Sequence, residues 1–379
     1  MKDSSMASMR ERLDGLLTAP RNDPEPFSAG RYVIYGAGSK GRETLSILRA
    51  RGCDVTAFID RSATGRIDGV PVVSVIDPAV AELAQDGCTP IVAVFNPGAD
   101  PLPIHEQLER AGFRTVIGVV EARQRLAADD AYWLASTAAM TPSATDAAWL
   151  FDTLADDLSR ATLLEAIALR RTGRPELLRS VTPGDQYFPS GVPIPRTGVR
   201  FIDGGAFDGE TIAQLIEAGF VFEGIAAFEP DPANYAALAE RLTVMRSCDE
   251  LSIWPCGLDS GPRQVRFRAQ GLASSSIATD GELLIQTVSL DECMPRFRPN
   301  YVKLDIEGAE ASALKGMART IQSSRPALAV CVYHKPADLW EIPMLIDELL
   351  PDSDFYLRAH AWNGFDLVFY ALPHEMART

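Results

Sequence analysis

Apolar residues along this chain of 379 residues come in short runs of strand length, separated by stretches in which they recur every three or four positions. That alternation predicts strands and helices in turn, the signature of an α/β fold. It occurs twice. In RYVIYGAGSKGRETLSILRARGCDVTAFIDRS (31–62) an apolar run enters a glycine turn, an amphipathic stretch follows, and a second apolar run closes a βαβ unit. PIVAVFNP (90–97), the helix-like IHEQLERAGF (104–113) and a short strand TVIGVV (115–120) extend it. A first Rossmann-like domain, opened by a short helix, is therefore expected over 1–120.

Residues 121–194 lack strand rhythm. DAAWLFDTLADDLSRATLLEAIALRRTG (146–173) is rich in helix formers with apolar positions at helical spacing, which predicts a helical connector. RSVTPGDQYFPSGVPIPRTG (179–198) is rich in Pro and Gly and predicts an irregular loop lying across the mouth of the second domain. Over 195–379 the alternation resumes: VRFIDGG, GIAAFEPD, LSIWPCGL, VKLDIEG and ALAVCVYH read as strands, with helices from Thr211, Pro232 and Ala309 and near 340–350. FYLRAHA and DLVFYAL flank Asn363–Gly364, a hairpin signal, so a mainly parallel sheet is expected to end in an antiparallel strand. RQVRFRAQ and IQTVSLDE predict a hairpin inserted between the third and fourth strands.

Charge narrows the function. With 36 Lys and Arg against 51 Asp and Glu, the net charge of −15 gives no basis for binding a polynucleotide. The six cysteines show no CxxC spacing and read as reduced core thiols. No apolar run reaches the length of a membrane span. A cytoplasmic protein acting on a small molecule or glycan is expected.

The segment FIDGGAFDGET (201–211) carries Asp203 to the carboxyl edge of the sheet, where ligands of open α/β sheets bind. Gly204 and Gly205 permit a tight turn that brings a ligand against the backbone, and Gly209 and Thr211 stand where a helix begins. GIAAFEPD then ends in Glu229, placed to accept both hydroxyls of a ribose. That geometry serves NAD and S-adenosylmethionine alike. DGGAFDG in place of GxGxxG, EPD at the next strand, an acidic fourth strand and the final hairpin together favour the methyl donor.

With DQYFP, AFEPDPANYAAL, VSLDE, YVKLDIEGAE, ALKG and YHKPADLWEIP added, residues 185–373 resemble the FkbM-type family of S-adenosylmethionine-dependent methyltransferases, about half the chain. The resemblance implies a class I methyltransferase sheet, methyl transfer to oxygen, and S-adenosylhomocysteine as by-product. It assigns Asp203, Gly205, Asp208 and Glu229 to the cofactor, with Asn234 and Gly257 as weaker candidates. Gly204, Phe207, Gly209, Thr211 and Pro230 complete the expected cofactor contour, and Asp305 adjoins it.

In YVKLDIEGAE (301–310) period-two alternation would place Lys303, Asp305 and Glu307 on one face if the strand continues that far. Methyl transfer to a hydroxyl needs alignment and a base. Asp305 is the first choice for positioning and Glu307 for acceptor contact or base; an ordinary Lys303–Glu307 ion pair is the alternative. His334, directly after the fifth strand, is a third candidate base because its ordinary pKa is about 6.5; otherwise it is a turn histidine. His105, His360 and His374 read as surface or structural. Asp305, Glu307 and Glu310 could collect Mg²⁺, but such carboxylates are more often hydrogen-bonded or ion-paired, and no metal is assigned. GLASSSIATDG (271–281) could cover the adenine or acceptor. A nucleic-acid methyltransferase is disfavoured, since the fourth strand ends in DIEG and not in a proline–aromatic motif.

In the first domain, YGAGSKG matches GxGxxG through Gly36, Gly38 and Gly41, and Asp60 ends the next strand. The pattern leaves open NAD(P), another nucleotide or nucleotide sugar, and a structural or homo-oligomer-forming role. No Tyr-xxx-Lys pair follows, which weakens a dehydrogenase. The competing functions are thus a nicotinamide- or nucleotide-sugar-dependent enzyme and a non-catalytic nucleotide-binding assembly protein.

Overall fold

The computed structural model describes residues 2–20, 23–126, 134, 137–245, 248, 250–268, 276–277 and 281–376. Apart from residues 276–277 and 281, the expected cover 271–281 lies outside them. Two compact units share the chain. One comprises residues 1–144, 161–182 and 361–366, the other 145–160, 183–360 and 367–379. The expected connector, 121–194, is thus apportioned between them.

In the first unit the strands are β1 (Arg31–Tyr35), β2 (Asp54–Asp60), β3 (Gly65–Ile67), β4 (Val70–Ser74) and β5 (Thr89–Val92). They form one sheet in the order β3-β4-β2-β1-β5, parallel except for the β3–β4 hairpin. Alternate side chains feed two cores, Ile34, Phe58 and Ile91 in one and Val33, Ile59 and Val92 in the other. Burial on both faces is what turns these strands into near-continuous apolar runs. The run 115–120 is not a strand: Ile117 makes a single bridge to Ile91, and Val119–Leu126 is a helix.

The second unit holds β6 (Val199–Gly204), β7 (Phe222–Phe228), β8 (Glu250–Trp254), β9 (Gly257–Leu258), β10 (Arg263–Arg268), β11 (Ser276–Ile277), β12 (Leu283–Val288), β13 (Tyr301–Leu304), β14 (Ala327–Cys331), β15 (Ser353–Ala359) and β16 (Leu367–Pro373). Seven of them form a sheet in the order β15-β16-β14-β13-β6-β7-β8. β14, β13, β6, β7 and β8 are parallel, and β16 runs antiparallel to both β14 and β15. The hairpin signal therefore marks a real reversal, made through a longer loop with Asn363 at φ 58° and Gly364 at φ 79° rather than a two-residue turn. β10 and β12 pair antiparallel as the inserted hairpin, within a second sheet that includes β9 and β11. The chain leaves β6 toward β7 and β8 and later returns to β13 and β14 on its other side, so the switch in strand order falls between β6 and β13.

Helices 144–153 and 157–172 replace the single helical stretch read between 146 and 173. Asp156, between them, holds Arg358 of β15 at 2.6 Å. All six cysteines are free, four of them buried. Among the described residues no helix is long and apolar enough to cross a membrane.

Candidate active site

The carboxyl ends of β6, β7, β13 and β14 deliver Gly205, Glu229, Asp305 and His334 to one edge of the seven-stranded sheet, at the switch in strand order where open α/β sheets bind ligands. The turn after β6 is pinned by its own backbone. Gly205 and Ala206 both donate N–H to the Phe228 carbonyl, at 3.0 Å each. Gly205 holds φ 76°, and a Cβ there would enter the Asp305 carbonyl oxygen. The approach of the β13 loop by itself requires that glycine.

Glu229 is 5% exposed. Oε2 accepts the Phe207 N–H at 2.9 Å and Oε1 the Asp231 N–H at 2.8 Å. A carboxylate has about four acceptor positions, so each oxygen keeps one for a further donor. Burial pushes the Glu229 pKa up to about 7, against those two N–H groups. A vicinal diol would meet two acceptors here, which fits a ribose. The neighbouring candidates have structural tasks. Asp208 pairs with Arg241 at 2.5 Å and accepts the Glu210 N–H at the start of the helix Glu210–Glu217, in which Thr211 lies. Gly209 caps that helix at φ 86°, and Phe207 is itself left-handed at φ 51°. Gly204 packs against Leu304, Pro230 precedes the Glu229-bound Asp231, Asn234 is buried, and Gly257 pairs with Thr287.

Asp203 and Lys303 face each other across paired strands, both buried, with Nζ 3.0 Å from Asp203 Oδ1. Nζ also donates to the Gly205 carbonyl at 2.6 Å. Burial works against the ammonium, yet Asp203 and Asp305 outweigh it and raise the Lys303 pKa. Lys303 is thus a fixed cation beneath the turn. It is paired with Asp203, where a pairing with Glu307 was the sequence alternative.

β13 ends at Leu304, so Asp305 and Glu307 stand on a loop instead of alternating along a strand, and Glu307 holds φ 54°. Asp305 Oδ2 accepts the Tyr187 hydroxyl at 2.8 Å. His334, 4% exposed, places Nε2 3.4 Å from Asp305 Oδ1 and 3.7 Å from Glu307 Oε1, and Nδ1 2.9 Å from Glu310 Oε1. Burial alone would lower the His334 pKa, but Glu310, Glu307 and Asp305 push it up to about 10. An imidazole so surrounded holds its proton at neutral pH. This differs from its reading as an imidazole of ordinary basicity.

Tyr187 is the residue to which sequence reasoning gave no role at this site, and Glu310 was read only as a carboxylate that could collect Mg²⁺, not as a partner of His334. Tyr187 sits in the quoted DQYFP, within the loop expected across the mouth. Its ring also stacks 5.2 Å from Lys303 Nζ. His360 is structural, bound by the Gly184 carbonyl and the Tyr370 hydroxyl.

In the first unit, Gly36 holds φ 104°, Gly38 has open space at its Cβ position, and a Cβ on Gly41 would enter the Gly36 carbonyl oxygen. Asp60 accepts the Ala37 N–H on Oδ2, and the Ser62 and Ala63 N–H groups and the Ser62 hydroxyl on Oδ1. Burial would raise its pKa; those donors outweigh burial and hold it below the usual range. At most one acceptor position is left for a ribose.

Residues 203–360 match the methyltransferase FkbM domain. The crystal structure of methyltransferase FkbM from Methylobacillus flagellatus KT is similar with a TM-score of 0.77 and 25% identity, covering 97% of this chain and 99% of that one. Hexuronic acid methyltransferase AglP of Haloferax volcanii is 29% identical over 130 residues, 33% of this chain. The match spans about half, 53%, of that relative's length.

Proposed function

We propose that the methyltransferase FkbM domain at residues 203–360 uses S-adenosylmethionine to methylate a hydroxyl of a sugar, glycan or other small polar acceptor. The observation that carries this reading is Glu229. It is a buried carboxylate at the end of β7 with one acceptor position left on each oxygen, beside a glycine turn whose N–H groups are already spent. In this reading Glu229 accepts the two ribose hydroxyls, and the turn 204–209 forms the adjoining wall. A sugar acceptor draws support from the hexuronic acid methyltransferase of Haloferax volcanii.

When bound, the donor supplies an electrophilic methyl group whose bond to sulfur breaks as the acceptor oxygen bonds to its carbon. The chain's residues align the acceptor and take its proton. Asp305, fixed by Tyr187, positions the hydroxyl; Glu307 receives its proton; His334, held by Glu310, stands between the two carboxylates. Lys303 fixes Asp203 and the turn and does not act on the acceptor.

Calorimetry on the full chain tests the reading. Saturable binding of S-adenosylmethionine, lost in Glu229→Ala, is expected, and mass spectrometry should detect a gain of one methyl group in a panel of sugars and hexuronic acids. An unmodified protein that binds NADH or a nucleotide sugar but not the methyl donor would reverse it.

A further inference from the structure

We infer that Asp305, Glu307 and His334 form a site for one divalent cation of the Mn²⁺ class, with Glu310 aiming the imidazole. One ligand atom from each of the three lies within 4.8 Å of the others. The spans from Nε2, 3.4 Å to Asp305 and 3.7 Å to Glu307, exceed a hydrogen bond. They fall between the edge, about 3 Å, and the diagonal, about 4.2 Å, of an octahedron with ligands at about 2.1 Å. A common centre is reached by small rotations of the carboxylates.

The independent observation lies on the far side of the ring. His334 is 4% exposed, and its Nδ1 faces Glu310 Oε1 at 2.9 Å. Glu310 is fully buried, and the same oxygen accepts the Ile306 N–H at 2.8 Å. A carboxylate on one ring nitrogen fixes the orientation and basicity of the other, as behind histidines that ligate metals. Here the other nitrogen points between two carboxylates. Glu310 itself is outside the set of three.

The surrounding charges agree. Of the cations on the packed elements, Lys303 is committed to Asp203 and Gly205, and Lys335 reaches the Gly308 carbonyl. Asp305, Glu307, Glu310 and, from the helix Asp338–Leu349, Asp338 supply the opposing charge. Two carboxylates and one imidazole suit a metal of intermediate softness, and three protein ligands leave positions open. If the methyltransferase reading holds, on which this last step rests, those positions take acceptor oxygens, so that a sugar with adjacent oxygens is oriented by chelation.

The test is titration of the full chain, first dialysed against a chelator, with Mn²⁺, followed by the electron paramagnetic resonance of the free ion. One Mn²⁺ per chain is expected, weakened at least tenfold in Glu307→Gln and tenfold or more in Glu310→Gln, with each variant first checked for an unchanged melting temperature. Glu229→Ala should lose S-adenosylmethionine and keep Mn²⁺. Should a variant fail to fold, the unmodified chain answers: of its four histidines, bound Mn²⁺ must broaden the imidazole resonances of His334 first. Absence of saturable binding, equal affinity in Glu307→Gln, or broadening of another histidine in preference overturns the site. Binding of the methyl donor without Mn²⁺ would sink this inference alone, and binding of Mn²⁺ without the donor would sink the proposed function.

Discussion

The two glycine turns of this chain share a construction and diverge at a carboxylate. Gly36 and Gly205 each follow the first strand of their sheet, each has positive φ, and each donates its N–H to a carbonyl at the end of the neighbouring strand, Ile59 or Phe228. The acidic residue next in sequence, Asp60 or Glu229, then takes another N–H of the turn, from Ala37 or Phe207. Asp60 goes on to collect Ser62 and Ala63, whereas Glu229 adds only Asp231. One acid keeps at most a single acceptor position and is held below its usual pKa; the other keeps one on each oxygen and is lifted to about 7. A strand–glycine–helix motif thus reports a turn, and the two turns differ in the acceptor positions left on the acid.

The largest effect expected is on the buried pair under the second turn. Lys303→Met leaves Asp203 uncompensated and should cost about 3–5 kcal/mol, read by urea unfolding; a loss below 1 kcal/mol would mean Asp203 is protonated and the pair unimportant. Next comes the direct contrast. Glu229→Ala should weaken S-adenosylmethionine binding about a hundredfold, the equivalent of about 3 kcal/mol for charged hydrogen bonds. Asp60→Ala should leave that affinity unchanged and cost about 1–3 kcal/mol of stability. Equal loss of donor binding in both variants would erase the distinction.

A smaller effect follows from the Glu229 pKa of about 7. Ribose hydroxyls donate to the ionised carboxylate, so protonation competes with binding. The donor Kd should be flat above pH 7 and rise about tenfold per unit below it. Calorimetry across pH should show that slope, and Glu229→Gln should abolish it. Smallest of all, Tyr187→Phe removes one hydrogen bond to Asp305 and should lower kcat about fivefold, near 1 kcal/mol, with donor affinity unchanged. A loss of donor affinity instead would assign Tyr187 to the cofactor side.

What could be read in advance was what the chain encodes locally. The turn 201–211, Glu229 at the end of the next strand and the hairpin after β15 depend on residues close in sequence. What escaped depends on register between distant segments. Lys303 meets Asp203 because β13 pairs with β6 in one register, and Tyr187 meets Asp305 across 118 residues. Neither spacing carries a pattern. Glu310 looked like one more carboxylate until the fold set it behind His334. The β-branched run 115–120 failed for the opposite reason, since its local preference for a strand lost to a helix beginning at Val119.

The turn after β6 has one more implication. Gly205, Ala206, Phe207, Gly209 and Glu210 all direct their N–H groups to acceptors within the protein. Loops that cradle phosphates do so with N–H groups left pointing outward. These five main-chain donors are already committed and offer a phosphate no N–H group. Because the withholding is done by main chain, no exchange of side chains would readily convert this turn to a dinucleotide. Opening it to a phosphate would require the backbone itself to be rebuilt.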